Sequence, residues 1–275
     1  MNKLLSANMW RLKKSKIFWG CLAVALAASV WAMCMGCHAA VMNEREETLD
    51  SNLFKVVPFL GLILAPFAAV FLGVEYGEGT LRNKLIVGHT REHIYFANLT
   101  ACAVVSLLLA ALDLTGGFAA GVPQIGPWQG GAGQLLSQII VYAGIAVALA
   151  AFFTMIGMLS TRRATTMAIC LFGYLLLLVM GSYLYNNLLE PEMTSEMRIT
   201  ANGLEVGDPS PNPSYIGGTL RKVYEFLMIL LPTGQAIYMA NEEFGPALPQ
   251  VALSLGVAAV CTAIGLGVFR RKDIK

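Results

Sequence analysis

Six stretches of about twenty apolar residues, set apart by polar clusters, constrain this chain more than any other feature of its sequence. Wound as helices, runs of that length match the roughly 30 Å hydrocarbon core of a bilayer. A segment in lipid must satisfy its own backbone hydrogen bonds, so α-helices are the expected form. The runs cover Ile17–Ala40, Leu53–Val74, Ile94–Leu114, Leu135–Leu159, Thr166–Leu188 and Leu248–Phe269. Composition agrees: 56% of the 275 residues are hydrophobic and 13% are charged, against about 25% charged in soluble domains. A water-soluble enzyme is thereby excluded. The expected class is an all-α, polytopic integral membrane protein with six transmembrane helices in one domain over 1–275.

An even number of spans puts both termini on one side, and the basic residues say which. Arg11, Lys13, Lys14, Lys16, Arg82, Lys84, Arg91, Arg162, Arg163, Arg270, Arg271 and Lys272 share the side of the termini. Cytoplasmic loops carry such an excess, so the termini are expected in the cytoplasm. The first run exceeds the apolar core of a cleaved signal peptide, usually about 7 to 15 residues, and lacks a small-x-small cleavage site. It reads as a retained anchor behind a basic amphipathic start at 1–16. The net charge of +2 is too dispersed for a nucleic-acid surface. All six cysteines, Cys21, Cys34, Cys37, Cys102, Cys170 and Cys261, fall in or beside apolar runs, where a disulfide framework would not place them.

Pro58 and Pro66 predict a kink in the second span. A Gly/Pro-rich connector is expected from Thr115 to Gly133. The outer segment 189–247 divides in two. Glu190–Gly218, with Pro209, Pro211 and Pro213, reads as a solvated loop. Leu220–Leu231 is apolar but interrupted by Arg221, Lys222 and Glu225 and stopped by Pro232, too short to span. It reads as an interfacial or re-entrant helix, with Gln235–Ala240 as a second short element. The rival is a seventh span at Val223–Ala240, which would carry Arg270, Arg271 and Lys272 outside.

The loop 75–93 between the second and third spans, Glu-Tyr-Gly-Glu-Gly-Thr-Leu-Arg-Asn-Lys-Leu-Ile-Val-Gly-His-Thr-Arg over Glu75–Arg91, is the most informative stretch. A short helix fits between Gly79 and Gly88, with Glu78 at its positive end, Lys84 in its C-terminal half and Gly88 in the left-handed position after it. Leu81 and Leu85 are one turn apart and share a face. Two turns of helix are unstable alone, so this element must lie on the membrane or dock on something.

In its Glu, its Gly-Thr-Leu-Arg-Asn string and its closing Gly-x-x-Arg, this stretch resembles the coupling-helix region of type-2 ATP-binding-cassette exporter permeases. Leu231-Pro232-Thr233-Gly234-Gln235 is similar to a string in the outer segment of such permeases. The resemblance implies a transport subunit that is not itself an enzyme: it moves a peptide, antibiotic or lipid-like substrate out of the cytoplasm and sits in the cell membrane, the bacterial cytoplasmic membrane being the expected one. ATP and Mg would be bound by a separate cytoplasmic ATPase, and this chain carries no G-x-x-x-x-G-K-[ST] loop of its own. A second permease subunit, identical or similar, is implied. So is a set of ATPase-coupling residues: Glu75, Gly79, Thr80, Leu81, Arg82, Asn83, Leu85, Gly88 and Arg91. Thr80–Val87 would sit in a groove of the ATPase and pass its closure on as a tilt of spans two and three. Glu75 would stiffen that lever by pairing with Arg82, Arg91 or the basic Arg11–Lys16 stretch.

Two other constellations offer alternatives. Asp113 is the one acid within an apolar run, and intramembrane acids point to proton or ion sites. Its place at the end of the third run suggests a hydrated, interfacial carboxylate, with an ion-coupled secondary transporter as the alternative. Cys34-Met35-Gly36-Cys37-His38 matches the C-x-x-C-H pattern of covalent haem attachment, leaving a membrane-anchored haem or redox protein as a further alternative. His89 and His93 lack the Glu of an H-E-x-x-H zinc helix, and no catalytic metal is expected.

Overall fold

The computed structural model describes residues 1–42, 48–195, 197–200, 203–206 and 208–272. Among them, six helical segments are long and apolar enough to cross a membrane. Helix α1 (Asn2–Lys14) precedes the first of these and buries Leu4, Asn8 and Leu12, a stripe spaced four residues apart. Ser15 takes an extended conformation and turns the chain into α2 (Lys16–Met42).

The second crossing is broken rather than kinked. A one-turn helix, α3 (Leu49–Asn52), is held by a capping box in which Thr48 Oγ1 accepts the Ser51 amide. A 3-10 turn at Val57–Phe59 contains Pro58 and leads into α4 (Leu60–Gly77). The break falls at Pro58, while Pro66 lies inside the continuous α4. The hydroxyl of Tyr174, from the later helix α8 (Arg163–Leu189), donates to the Pro58 carbonyl at 2.8 Å. The bond ties the break in the second crossing to α8.

After the short α5 (Thr80–Ile86) comes α6 (Arg91–Ile125), whose 35 residues exceed the expected third span. The Gly/Pro-rich connector from Thr115 is a correction: the helix continues to Ile125, and only 126–131 turn before α7 (Ala132–Leu159). Gly116, Gly117 and Gly121 are contact surface. Ser29, Leu26, Met33, Leu53 and Leu49 press so close that an added methyl would meet them at 2.5–3.1 Å. Small residues let membrane helices approach closely, and the helix ends at Gly126, where φ is +88°. At roughly 1.5 Å per residue α6 is about 50 Å long, more than a bilayer core needs. Helix α7 packs against α6, α4 and the last helix, α11 (Ala247–Arg271), at the centre of the bundle.

The outer segment contains two small antiparallel ladders where a loop was expected. Strand β1 (Met193–Thr194) pairs with β4 (Ser210–Pro211), and β2 (Met197–Thr200) pairs with β3 (Gly203–Val206). Beyond them α9 (Gly218–Leu230) and α10 (Pro232–Ala240) meet at 93°. A right-angled pair of 13 and 9 residues is not a straight seventh crossing. The corner explains Leu231–Gln235. Pro232 opens α10, where its missing N–H is harmless. Thr233 donates to Leu177 O at 3.1 Å. Gln235 donates to Ile229 O at 2.6 Å and Gln250 O at 3.1 Å, and accepts from Ser254 Oγ at 2.8 Å. One side chain thus ties α10 to α9 and α11.

Gly234 packs directly on the α9 backbone: an added Cβ would fall 2.3 Å from Met228 O. Gly234→Ala should therefore destabilise the protein by about 1–3 kcal/mol through overpacking, read as a lowered midpoint of thermal unfolding in detergent. An unchanged midpoint would show that the corner is not close-packed.

Candidate functional site

The end of the bundle that carries Met1 and Lys272 is organised around one carboxylate. Glu75, in the last turn of α4, is 0% exposed. Arg11 of α1 donates to its Oε1 at 2.5 Å, Lys84 of α5 contacts the same oxygen, and Asn98 of α6 donates to Oε2 at 2.9 Å. Asn98 in turn accepts from Asn8 of α1 at 2.8 Å. Arg11 also donates to Phe71 O at 3.0 Å and stacks 3.8 Å over the Phe71 ring. Four helices therefore converge on Glu75.

Of the partners expected from sequence, the Arg11–Lys16 stretch supplies Arg11. Arg82 and Arg91 are corrected: Arg82 faces outward, and Arg91 caps another helix. Lys84, expected only as a favourable charge at a helix end, is the second cation. Asn8 and Asn98 escaped the sequence reading. Their signal was a polar side chain on the apolar stripe of α1 and another in the third apolar run.

Helix α5 hangs from this cluster. Gly79, at φ +66°, precedes it, and the Thr80 hydroxyl donates to Glu75 O at 3.2 Å. Glu78 lies at the N-terminal end of α5 as expected, just before the Gly79 cap, with a carboxylate oxygen 3.9 Å from Arg163. The far end closes as expected. Gly88 has φ +93°, its amide bonds Leu85 O at 3.0 Å, and the His89 amide bonds Lys84 O at 3.1 Å, the double-bonded glycine stop of many helices. Leu81 is buried at 1% and Leu85 packs half-buried against the core. The opposite face presents Arg82 and Asn83 with Ile86 and Val87, which are 73% and 77% exposed.

Neighbouring helix ends are joined in the same way. Arg91 donates to Phe269 O at 2.9 Å and to Lys272 O, capping α11. Glu92 pairs with Arg270 at 2.5 Å. Lys272 donates to Tyr76 Oη at 3.1 Å, Met158 O at 3.1 Å and Leu159 O at 2.9 Å, satisfying the end of α7. Tyr76 also donates to Met158 O, and Arg163 bonds Gly73 O at 3.2 Å.

Asp113 is a correction as well. α6 runs on to Ile125, and the residue, expected to be hydrated, is packed inside the protein at 3% exposure. Tyr142 donates to its Oδ2 at 2.8 Å, and Ser29 donates to its backbone carbonyl at 2.5 Å. Cys34 and Cys37 lie in α2, Cys34 exposed and Cys37 7% exposed within the core. A haem bridging both sulfurs would have to reach a buried one.

Breaking a buried ion cluster by removing one member is costly, about 3–5 kcal/mol, because the partner charges stay behind. Glu75→Gln should lower stability by that order in detergent unfolding, and Glu75→Leu with Arg11→Met and Lys84→Met should recover most of it. A single variant as stable as the wild type would refute the cluster's role. Burial also lowers Lys272 to about 8. Above pH 8 the native state releases this proton before the unfolded chain does, which holds it to the ordinary 10.5. The contribution of Lys272 to stability should therefore rise between about pH 8 and 10.5, read as wild-type stability gaining on that of Lys272→Met across the window. A wild-type stability that gains nothing on the variant there contradicts the assignment.

No curated protein gives a significant match to this chain. Residues 4–179, about two thirds of the chain, match the family described as ABC-2 family transporter protein. The match takes in α1, the Glu75 cluster, α5 and most of α8. This polytopic membrane protein belongs to the ABC-2 transporter family and is a transport permease subunit, with no catalytic role of its own implied by that membership.

Proposed function

We propose that this chain is the membrane subunit of an ATP-driven exporter whose cytoplasmic ATPase grips α5. The observation that carries the reading is the two-sidedness of that helix. Leu81, Thr80 and Lys84 bind it to the bundle through Glu75 and the core. Ile86 and Val87 stand exposed beside Arg82 and Asn83. A helix this short has little stability of its own, and an exposed apolar pair on a charged surface suits a partner groove. Closure of the ATPase would move α5, and the Glu75 cluster would pass the motion to α1, α4 and α6 as a rigid body. Gly79, Gly88 and the Arg91 cap set the two ends of the handle.

ATP and Mg belong to the partner in this scheme, and both termini face the cytoplasm with α5. A second permease subunit completes the path. α2, α8 and α11 bury little of themselves within one chain, which leaves faces for lipid and for that subunit. The cargo is a peptide, antibiotic or lipid-like molecule moving outward. Ion-coupled transport through Asp113 is a second reading, favoured by the burial of that carboxyl beside a tyrosine, with no cation bonded to it among the described residues.

Ile86→Asp with Val87→Asp should abolish co-purification of the ATPase and ATP-driven transport while leaving thermal unfolding unchanged. A photo-crosslinker at Asn83 should capture the ATPase in cells with an active assembly. Failure of that capture, or full transport by the double variant, would overturn the docking assignment. Loss of transport in Asp113→Asn with an ion gradient and no nucleotide would favour the second reading.

A further inference from the structure

We infer that the cavity between α9, α10 and α11, at the end of the bundle opposite Glu75, is a binding site for a cationic amphiphile: an ammonium group carried on an apolar body. The cavity has a volume of about 540 Å³, within the roughly 300–1,000 Å³ of small-molecule sites. Ile229, Phe244 and Pro249 give it an apolar wall, and the polar groups that line it are Glu225, Glu243, Tyr238 and Gln250.

Gln250 supplies the independent sign of a ligand. The residue is 4% exposed, and its backbone carbonyl is taken by Gln235, yet its side-chain amide has no hydrogen-bond partner among the described residues and is not sealed within the protein. It opens onto the cavity, where a guest can bond it.

The charge of that guest follows from the neighbours. Glu225 is paired with Arg221 at 3.2 Å along α9, whereas the hydrogen bond to Glu243 comes from a neutral group, the Tyr185 hydroxyl at 3.3 Å. Two carboxylates against one guanidinium repel an anion. Tyr238, packed edge-on against Tyr185 with ring centroids 6.0 Å apart, lines the cavity with an aromatic ring that attracts a cation. Glu242 occupies the left-handed position after α10 at φ +63°, a place that favours glycine. The outward residues of α9, Leu220, Val223 and Phe226, are exposed and apolar, so an amphiphile partitioned into lipid would arrive beside the site.

This site stands apart from the docking of an ATPase, and its test needs neither ATPase nor nucleotide. Binding of 4-phenylbutylamine is measured by calorimetry on the purified full chain in neutral phosphatidylcholine nanodiscs, with 4-phenylbutanol and 4-phenylbutanoate as neutral and anionic counterparts and empty discs as background. The amine should bind saturably, and the alcohol and carboxylate at least tenfold more weakly. Glu243→Gln, an exposed change that leaves packing intact, should weaken the amine at least fivefold, and Gln250→Leu should do the same. Absence of saturable amine binding, equal binding of the alcohol, or wild-type affinity in Glu243→Gln would overturn the inference. Should Gln250→Leu fail to fold, Glu243→Gln alone decides.

Discussion

A carboxylate taken wholly out of water must be met by opposite charge and by hydrogen bonds, because its desolvation otherwise costs several kcal/mol. Glu75 is such a group, and much of the end of the bundle near Met1 and Lys272 is arranged by that requirement. Arg11 can reach it only if α1 lies along α6 with Arg11 turned to the end of α4, and Asn8 and Leu12 then fall into contact as a matter of helical spacing. Lys84 can reach it only if α5 folds back beneath α4, which places Leu81 in the core and turns Ile86 and Val87 outward. Asn98 completes the shell from α6. The geometry of the handle is thus a consequence of satisfying one charge, and the four helices cannot shift independently without exposing or orphaning it.

The opposite end is built on different physics. There the chain turns through a right angle on uncharged joints, using Pro232 to start a helix, Gly234 to let two backbones touch and Gln235 to supply three hydrogen bonds. Between the two ends, glycines of α6 interleave with α2. Close backbone approach in the middle and fixed polar joints at the ends suit a bundle that moves as a few rigid pieces rather than by bending throughout.

Much of this was legible from residues alone, where a single local rule decides. The six spans follow from run length, the stop at Gly88 from the left-handed preference of glycine, and the break at Pro232 from the missing amide. The resemblance of Gly79–Asn83 to coupling helices agreed with the later family match. Legibility failed where tertiary contact overrode the local rule. Gly116, Gly117 and Gly121 read as a loop because glycine usually marks one, yet they are helix because α2 packs on them. Asp113 read as hydrated because its place in the third run says nothing of Ser29 and Tyr142, which cover it. Glu75 was singled out, but its partner Lys84 stands nine residues away, across a turn whose path no spacing rule gives. The short strands β1–β4 pair within a proline-rich stretch whose composition says only loop.

Family membership makes the chain a transport subunit, and the account of how it is driven depends on α1, α5 and α6 moving as one body about Glu75. Spin labels at Lys3 of α1 and Asn83 of α5, both at exposed positions, test this most directly when their separation is followed by pulsed electron resonance through ATP binding and hydrolysis in the complete transporter. The account predicts a narrow distance distribution that stays constant while the separation of Asn83 from its counterpart on the second permease changes. A Lys3–Asn83 distance that broadens or shifts with nucleotide would contradict it.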